Sequence, residues 1–139
     1  MREAAFSLKG YNFPEVRMNL EGIISGQNHF NIDVIPEGEF SAKNKSFLLR
    51  FVFKAFLDTE VENPCVNIKC VGLFEFKDVK SILDIPSYFY ANSIAILFPY
   101  VRAFVSTVTL QANFQPIVLP TMNLSDLSEV LKTHVVVVD

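Results

Sequence analysis

Residues 91–114 read ANSIAILFPYVRAFVSTVTLQANF, and Arg102 is their single charge. Apolar side chains recur at Ile94, Leu97, Phe98, Val101, Phe104, Val105 and Val108, the i, i+3, i+4, i+7 spacing of a helix. Arg102, Ser106, Thr109 and Asn113 form one narrow polar stripe. A helix that is apolar over most of its circumference must be covered on most sides. A chain of 139 residues can supply one sheet for one side. The remaining cover is expected from a second copy, so the seven apolar positions are the expected interface between copies. Pro99 either kinks the helix or opens its main segment at the first helical position, where a missing N–H costs little. Two plainer readings stand beside this one, a core helix and a transmembrane span. The length suits a membrane. Asn92, Arg102, Thr107, Thr109, Gln111 and Asn113 are too frequent for one, and no basic flank marks an inside. No membrane insertion is expected.

Before the helix, the sequence alternates. Phe47, Leu49, Phe51, Phe53, Ala55 and Leu57 share one face of a strand, with Leu48, Arg50, Val52, Lys54 and Phe56 on the other. The first is a core face, and the second mixes charge and bulk as a solvated sheet face does. Val66, Ile68, Cys70, Gly72, Phe74 and Phe76 repeat the pattern after a connection over residues 58–64. Gly72 in mid-strand signals a bulge or a close backbone approach. Phe6 and Leu8 open an earlier strand, punctuated by Gly10 and Pro14. Val16, Met18 and Leu20 alternate next, with Pro14 at a strand start, an edge or a bulge. Phe30, Ile32 and Val34 form another strand, and residues 36–44 read as a connection. Strands followed by helices indicate α+β, an antiparallel sheet with helices on one face.

Beyond the helix, residues 115–124, QPIVLPTMNL, carry two prolines and no helical period. This is an extended loop with unusually apolar side chains, since loops run over surfaces. Ser125 or Asp126 caps a short second helix, with Glu129 at capping-box distance from Asp126. The tail Val135 to Val138 is either an added strand or an exposed aggregation liability.

Composition bounds the function. The length predicts a single domain over residues 1–139, able to fold without disulfide or metal. The 14 phenylalanines suggest apolar surface shared with a partner. A net charge of −3 argues against a nucleic-acid surface. No signal peptide is read, so a cytoplasmic location is expected. Cys65 and Cys70 point to opposite faces of their strand, which disfavours a disulfide and reads as two reduced thiols. His29 and His134 lack ligand spacing. No phosphate loop, nucleophile elbow or Cys–His pair appears, so neither an enzyme nor a cofactor is expected. Arg102 reads as a structural arginine, its head bonded to carbonyls or a carboxylate. What the chain offers instead is apolar surface. The extended loop and second helix could form one wall of a groove, and Ile23 and Ile24 another. Extended polypeptide would fit there, held by main-chain bonds to a strand edge. Simple core cover is the alternative use of these residues.

Asn92 to Arg102, NSIAILFPYVR, resembles the helix of the SecB protein-export chaperones. Ile96, Leu97, Phe98, Pro99, Tyr100 and Arg102 match that family's signature, and Val101 stands where it has alanine. The following FQPIVLPTMNLSDL is similar to the family's helix-connecting loop and second-helix start, with Phe114, Leu119, Asn123 and Leu127 in place. Gly72, Leu73 and Phe74 look like the end of its fourth strand. The resemblance covers about residues 45–132. It implies a four-stranded antiparallel sheet, a long helix packed on one face and a short second helix. It implies a homotetramer, a dimer of dimers, with the long helices sandwiched between outer sheets. It also implies ATP-independent holding of unfolded preproteins in apolar grooves. Carried over residue by residue, Ile117, Leu119, Met122, Leu124 and Leu127 fall on the groove wall, with Ile23 and Ile24 on the opposite side. The family docks on the SecA motor through acidic residues on the sheet. Here Asn67 replaces the acid of the fourth strand, the first strand shows no acidic pair, and valines replace the acidic tail. This counts against SecA as a partner. It leaves open a divergent member that guards an antitoxin-like polypeptide. A small-ligand-binding domain on the same fold is the alternative function.

Overall fold

The computed structural model describes residues 5–23, 29–57 and 62–139. Four strands come first: β1 (Phe6–Met18), β2 (Phe30–Ser41), β3 (Ser46–Leu57) and β4 (Val66–Phe76). A 3-10 turn (Ile82–Asp84) leads into helix α1 (Phe89–Gln111), then α2 (Leu124–Lys132) and a last strand, β5 (Val135–Val137). The sheet order is β1-β4-β3-β2-β5. The first four strands pair antiparallel, and β5 pairs parallel with β2. The α+β class stands. The expected four-stranded sheet gains a fifth strand from the valine tail, because an uncharged β-branched run beside an open strand edge pairs with it.

The alternation on β3 and β4 places every second side chain under the helices. Phe47, Leu49, Phe51, Phe53, Ala55, Val66, Ile68, Cys70 and Phe74 are fully buried there. Phe89, at the start of α1, is the hub of an aromatic cluster. Its ring lies 4.8 Å from Phe6, 4.9 Å from Phe47 and 4.8 Å from Phe76. No phenylalanine is left fully exposed, though Phe56 and Phe114 among others are only half-buried. The large apolar side chains exposed among the described residues are Leu, Val, Ile and Tyr.

The connection expected over residues 36–44 is strand up to Ser41, and Pro14 falls at an edge and a bulge, two of the three places expected for it. β1 runs unbroken through Gly10 and Pro14, with irregularities between Leu8 and Gly10 and between Asn12 and Glu15. Pro14 sits in the second, on an edge strand, where its missing N–H leaves no ladder bond unmade. β2 continues through Pro36 to Ser41. Gly38 donates its N–H outward, to His134 O. By the strand's period of two, the Pro36 nitrogen faces the same outer side, where no donor is needed. Gly72 serves close approach: a Cβ there would lie 2.9 Å from Cδ2 of Leu97 on α1.

α1 is one helix with Pro99 inside it. It ends where Asn113 turns left-handed at φ 64°. There the Phe114 N–H reaches the Thr109 carbonyl at 3.1 Å. Asn is the residue after Gly that tolerates this position best. Asn113 thus terminates the helix and is not part of its polar stripe.

Candidate functional site

Ser106 and Thr109 of that stripe are a seat for the connecting loop. Thr109 is buried, its Oγ1 donating to the Val105 carbonyl at 2.9 Å and accepting from the Ile117 N–H at 2.9 Å. Ser106 Oγ donates to the Ile117 carbonyl at 2.9 Å. Two hydroxyls on α1 therefore satisfy both backbone groups of one apolar loop residue, which lets the loop lie against the helix without orphaned polar atoms. An extended chain alternates its side chains. With its backbone held this way, Ile117 and Leu119 point into the core, and Val118 points out, 64% exposed.

The residues expected on a groove wall differ in exposure. Ile117, Leu119 and Leu127 are buried among core residues, and Met122 is half-buried against them. Of the five loop and helix positions, Leu124 alone is exposed. Val118 and Val130 are exposed beside it in sequence and are not among the residues expected on the groove wall. Parity within the loop was the available signal for Val118. Ile23 is half-buried, and Ile24 lies outside the described residues. Asn123 caps α2, its Oδ1 accepting from Ser125 N at 3.0 Å and Asp126 N at 3.3 Å, in place of the expected Ser125 or Asp126.

The seven helix positions expected at an interface between copies lie mostly against the protomer itself. Ile94, Leu97, Val101 and Val105 are buried against the protomer's own sheet, and Phe98 is nearly so. Phe104 stacks on Phe13 of β1 at 4.0 Å, and Val108 is half-buried against the core. The uncovered face of α1 carries Ile96, Tyr100, Ala103, Thr107 and Leu110, again at helical spacing. Leu110 is 56% exposed, and the Tyr100 ring stacks on Tyr11 at 4.2 Å. Arg102 is exposed, not enclosed in a core. By length and composition α1 could cross a membrane, but here one full face is packed on strands.

α2 packs against β2 and feeds directly into β5. β5 covers only Gly38 to Phe40 of the β2 edge. Among the described residues no strand pairs with Phe30 to Glu37 on that side. By the two-residue period, the N–H and C=O groups of Phe30, Ile32 and Val34 point outward there. Their side chains are half-buried on the helix side of the sheet. An open, β-prone edge lined by half-buried apolar side chains is a template for another extended chain.

The outer sheet face is charged but internally paired. Glu15 meets Lys69 at 2.9 Å and Arg17 at 2.8 Å, and Glu75 faces Lys9 at 3.8 Å. Arg50 lies 3.5 Å from both Glu37 and Glu39. The hydrogen bond from Lys69, with help from Arg17, lowers the Glu15 pKa below its ordinary value. Asn67 lies on this face and its Oδ1 is buried without a partner. Glu37 and Glu39 share the one guanidinium of Arg50, so that cluster keeps a net negative charge, whereas Glu15 and Glu75 each face a cation of their own. Cys65 and Cys70 are free thiols, and burial pushes the Cys70 thiol up to about 12, so it stays protonated and unreactive. No cluster of potential metal ligands occurs among the described residues.

The family described as preprotein translocase subunit SecB matches residues 14–132. The uncharacterized protein MJ0357 of Methanocaldococcus jannaschii is 40% identical over 60 residues, which span 43% of this chain and 38% of that protein. The fold is similar to that of the Mycobacterium tuberculosis Rv1957 SecB-like chaperone, solved in complex with a ChAD peptide from the Rv1956 HigA1 antitoxin. That likeness has a TM-score of 0.68 and 13% identity, and covers 86% of this chain and 91% of the other.

Proposed function

We propose that this chain, which belongs to the SecB family, is an ATP-independent holdase for unfolded or non-native polypeptide. Membership in a chaperone family makes chaperoning the general role and catalysis a poor fit. The observation that carries the finer reading is the β2 edge from Phe30 to Val34, which no strand among the described residues covers, on the strand that α2, with its exposed Leu124 and Val130, packs against. Main-chain bonds to that edge would give affinity that tolerates sequence. The exposed apolar side chains would add burial at roughly 25 cal/mol per Å2.

Two kinds of client fit the reading. One is a preprotein held for export, the other an antitoxin-like segment, the kind of peptide carried by the Mycobacterium tuberculosis structural relative. The ion pairs that occupy Glu15 and Glu75 favour the second, since they draw acidic groups of the sheet face away from a motor such as SecA. In this reading the protein is a cytoplasmic homotetramer. Its copies join through the Ile96–Tyr100–Leu110 face of α1, because that is the apolar face the protomer leaves uncovered.

An aggregation assay tests the proposal. A chemically unfolded client diluted into buffer should aggregate more slowly with this protein present, without nucleotide. Calorimetry should record its binding. Unchanged aggregation together with no heat of binding would dispose of the holdase reading. Pull-downs with SecA and with an antitoxin peptide separate the two kinds of client.

A further inference from the structure

We infer that β5 is a strap that occupies part of the client edge of β2 and is displaced when a client strand binds. The inference rests on the holdase reading and adds a built-in competitor to it. β5 uses the same outward row of main-chain groups as the open edge. Gly38 N–H donates to the His134 carbonyl at 3.0 Å, and Val138 N–H donates to the Phe40 carbonyl at 3.0 Å. The row continues at Phe30, Ile32 and Val34, where no strand among the described residues covers it, past Pro36, which has no N–H to offer. A client strand laid on Phe30 to Val34 and extended along β2 meets the strap at Gly38.

The strap is built to leave. It is a parallel strand of 3 residues, and although Val135 packs against the core, Val136 and Val137 are 59% and 49% exposed, so little apolar area holds it beyond Val135. Parallel pairing is slightly weaker per residue than antiparallel. Segments with few buried contacts are the ones that open locally at low cost. Its far end is latched: the Ser41 hydroxyl donates to Asp139 Oδ2 at 2.6 Å, and Lys43 N–H donates to Oδ1 at 3.3 Å. Its near end is fixed to α2, where His134 N–H donates to the Leu131 carbonyl at 2.9 Å. The strap therefore opens between the Asp139 latch and α2, to which it stays tethered beside Val135. The strap also shows what the edge accepts: a short, uncharged, extended, β-branched segment. Client segments of that chemistry would replace like with like.

The experiment uses an unfolded client polypeptide and calorimetry on the whole chain. Val138→Pro removes the Val138–Phe40 bond, and Asp139→Ala removes the latch. The combined variant should bind client about ten-fold tighter, because a fractionally occupied edge reduces apparent affinity by the fraction available. Glu39 and Val136 are paired across the two strands. Glu39→Cys with Val136→Cys should therefore bind like wild type when reduced and about ten-fold weaker when oxidised. In wild type, hydrogen exchange at the Val138 amide should accelerate at saturating client. Equal affinities across all forms, or a Val138 amide that stays protected with client bound, would overturn the strap and leave the holdase standing. Client binding by no form at all would take both down together.

Discussion

Thr109 Oγ1 and the Ile117 N–H meet at 2.9 Å in a buried site, eight residues apart in sequence. Thr109 keeps its own proton for the Val105 carbonyl, so the pair is satisfied on both sides. This bond decides which loop side chains are core and which are surface.

Thr109→Val keeps the shape but strands the Ile117 N–H. A buried donor without a partner costs about 1–3 kcal/mol. Urea unfolding should show a loss of that size. Exchange of the Ile117 amide should quicken. A midpoint equal to wild type would mean the loop is held by packing alone.

Leu119→Asp is not a clean probe of client binding. Leu119 is fully buried, and an unpaired charge there is expected to unfold the protein. Val118→Asp and Leu124→Asp lie on exposed positions and should weaken client binding several-fold while circular dichroism and stability stay near wild type, since surface substitutions usually change stability little. If both bind client normally, the loop and the start of α2 do not contact it.

Gly38→Ala would set a Cβ 2.3 Å from Cζ of the fully buried Phe47 ring. Overpacking of this kind costs about 1–3 kcal/mol. A second change, Phe47→Leu, should recover part of the loss. Thermal melting of the three variants reads the effect, and additive losses would deny the coupling.

Tyr100→Asp and Leu110→Asp place charges on the uncovered face of α1. Sedimentation should show smaller species with the protomer fold retained, because these side chains are exposed in the protomer. Arg102→Leu, on an exposed position of the same helix, should alter assembly and not client affinity. Variants that sediment like wild type would move the interface elsewhere.

Glu15 gives a small acid-limb effect. Its folded pKa lies below its ordinary value of 4.5, chiefly through the hydrogen bond from Lys69. A lowered carboxyl pKa favours the folded state above the unfolded value, and that contribution is lost as pH falls through the folded value. Glu15→Gln should therefore flatten the stability profile just below pH 4.5. The same profile in both proteins would show that the ion pair is fully screened.

Much of the architecture was legible residue by residue. Strand alternation at Phe47–Phe53 and Val66–Phe74 and the helical spacing from Ile94 to Val108 are local properties. A side chain's direction follows from its position along a strand or helix, whatever surrounds it. The resemblance carried by ILFPY and Arg102 pointed to the family for the same reason. What the chain could not declare alone was which partner each apolar face meets. α1 is apolar on both sides, and the stronger stripe, Leu97 to Val105, goes to the protomer's own sheet, leaving Ile96, Tyr100 and Leu110 uncovered. Ile117 and Leu119 turn inward only because Thr109 and Ser106 set the loop's parity. The valine tail is a strand only because β2 leaves Gly38 to Phe40 unpaired beside it. These outcomes depend on groups brought together from distant parts of the chain, and no local pattern encodes such a meeting.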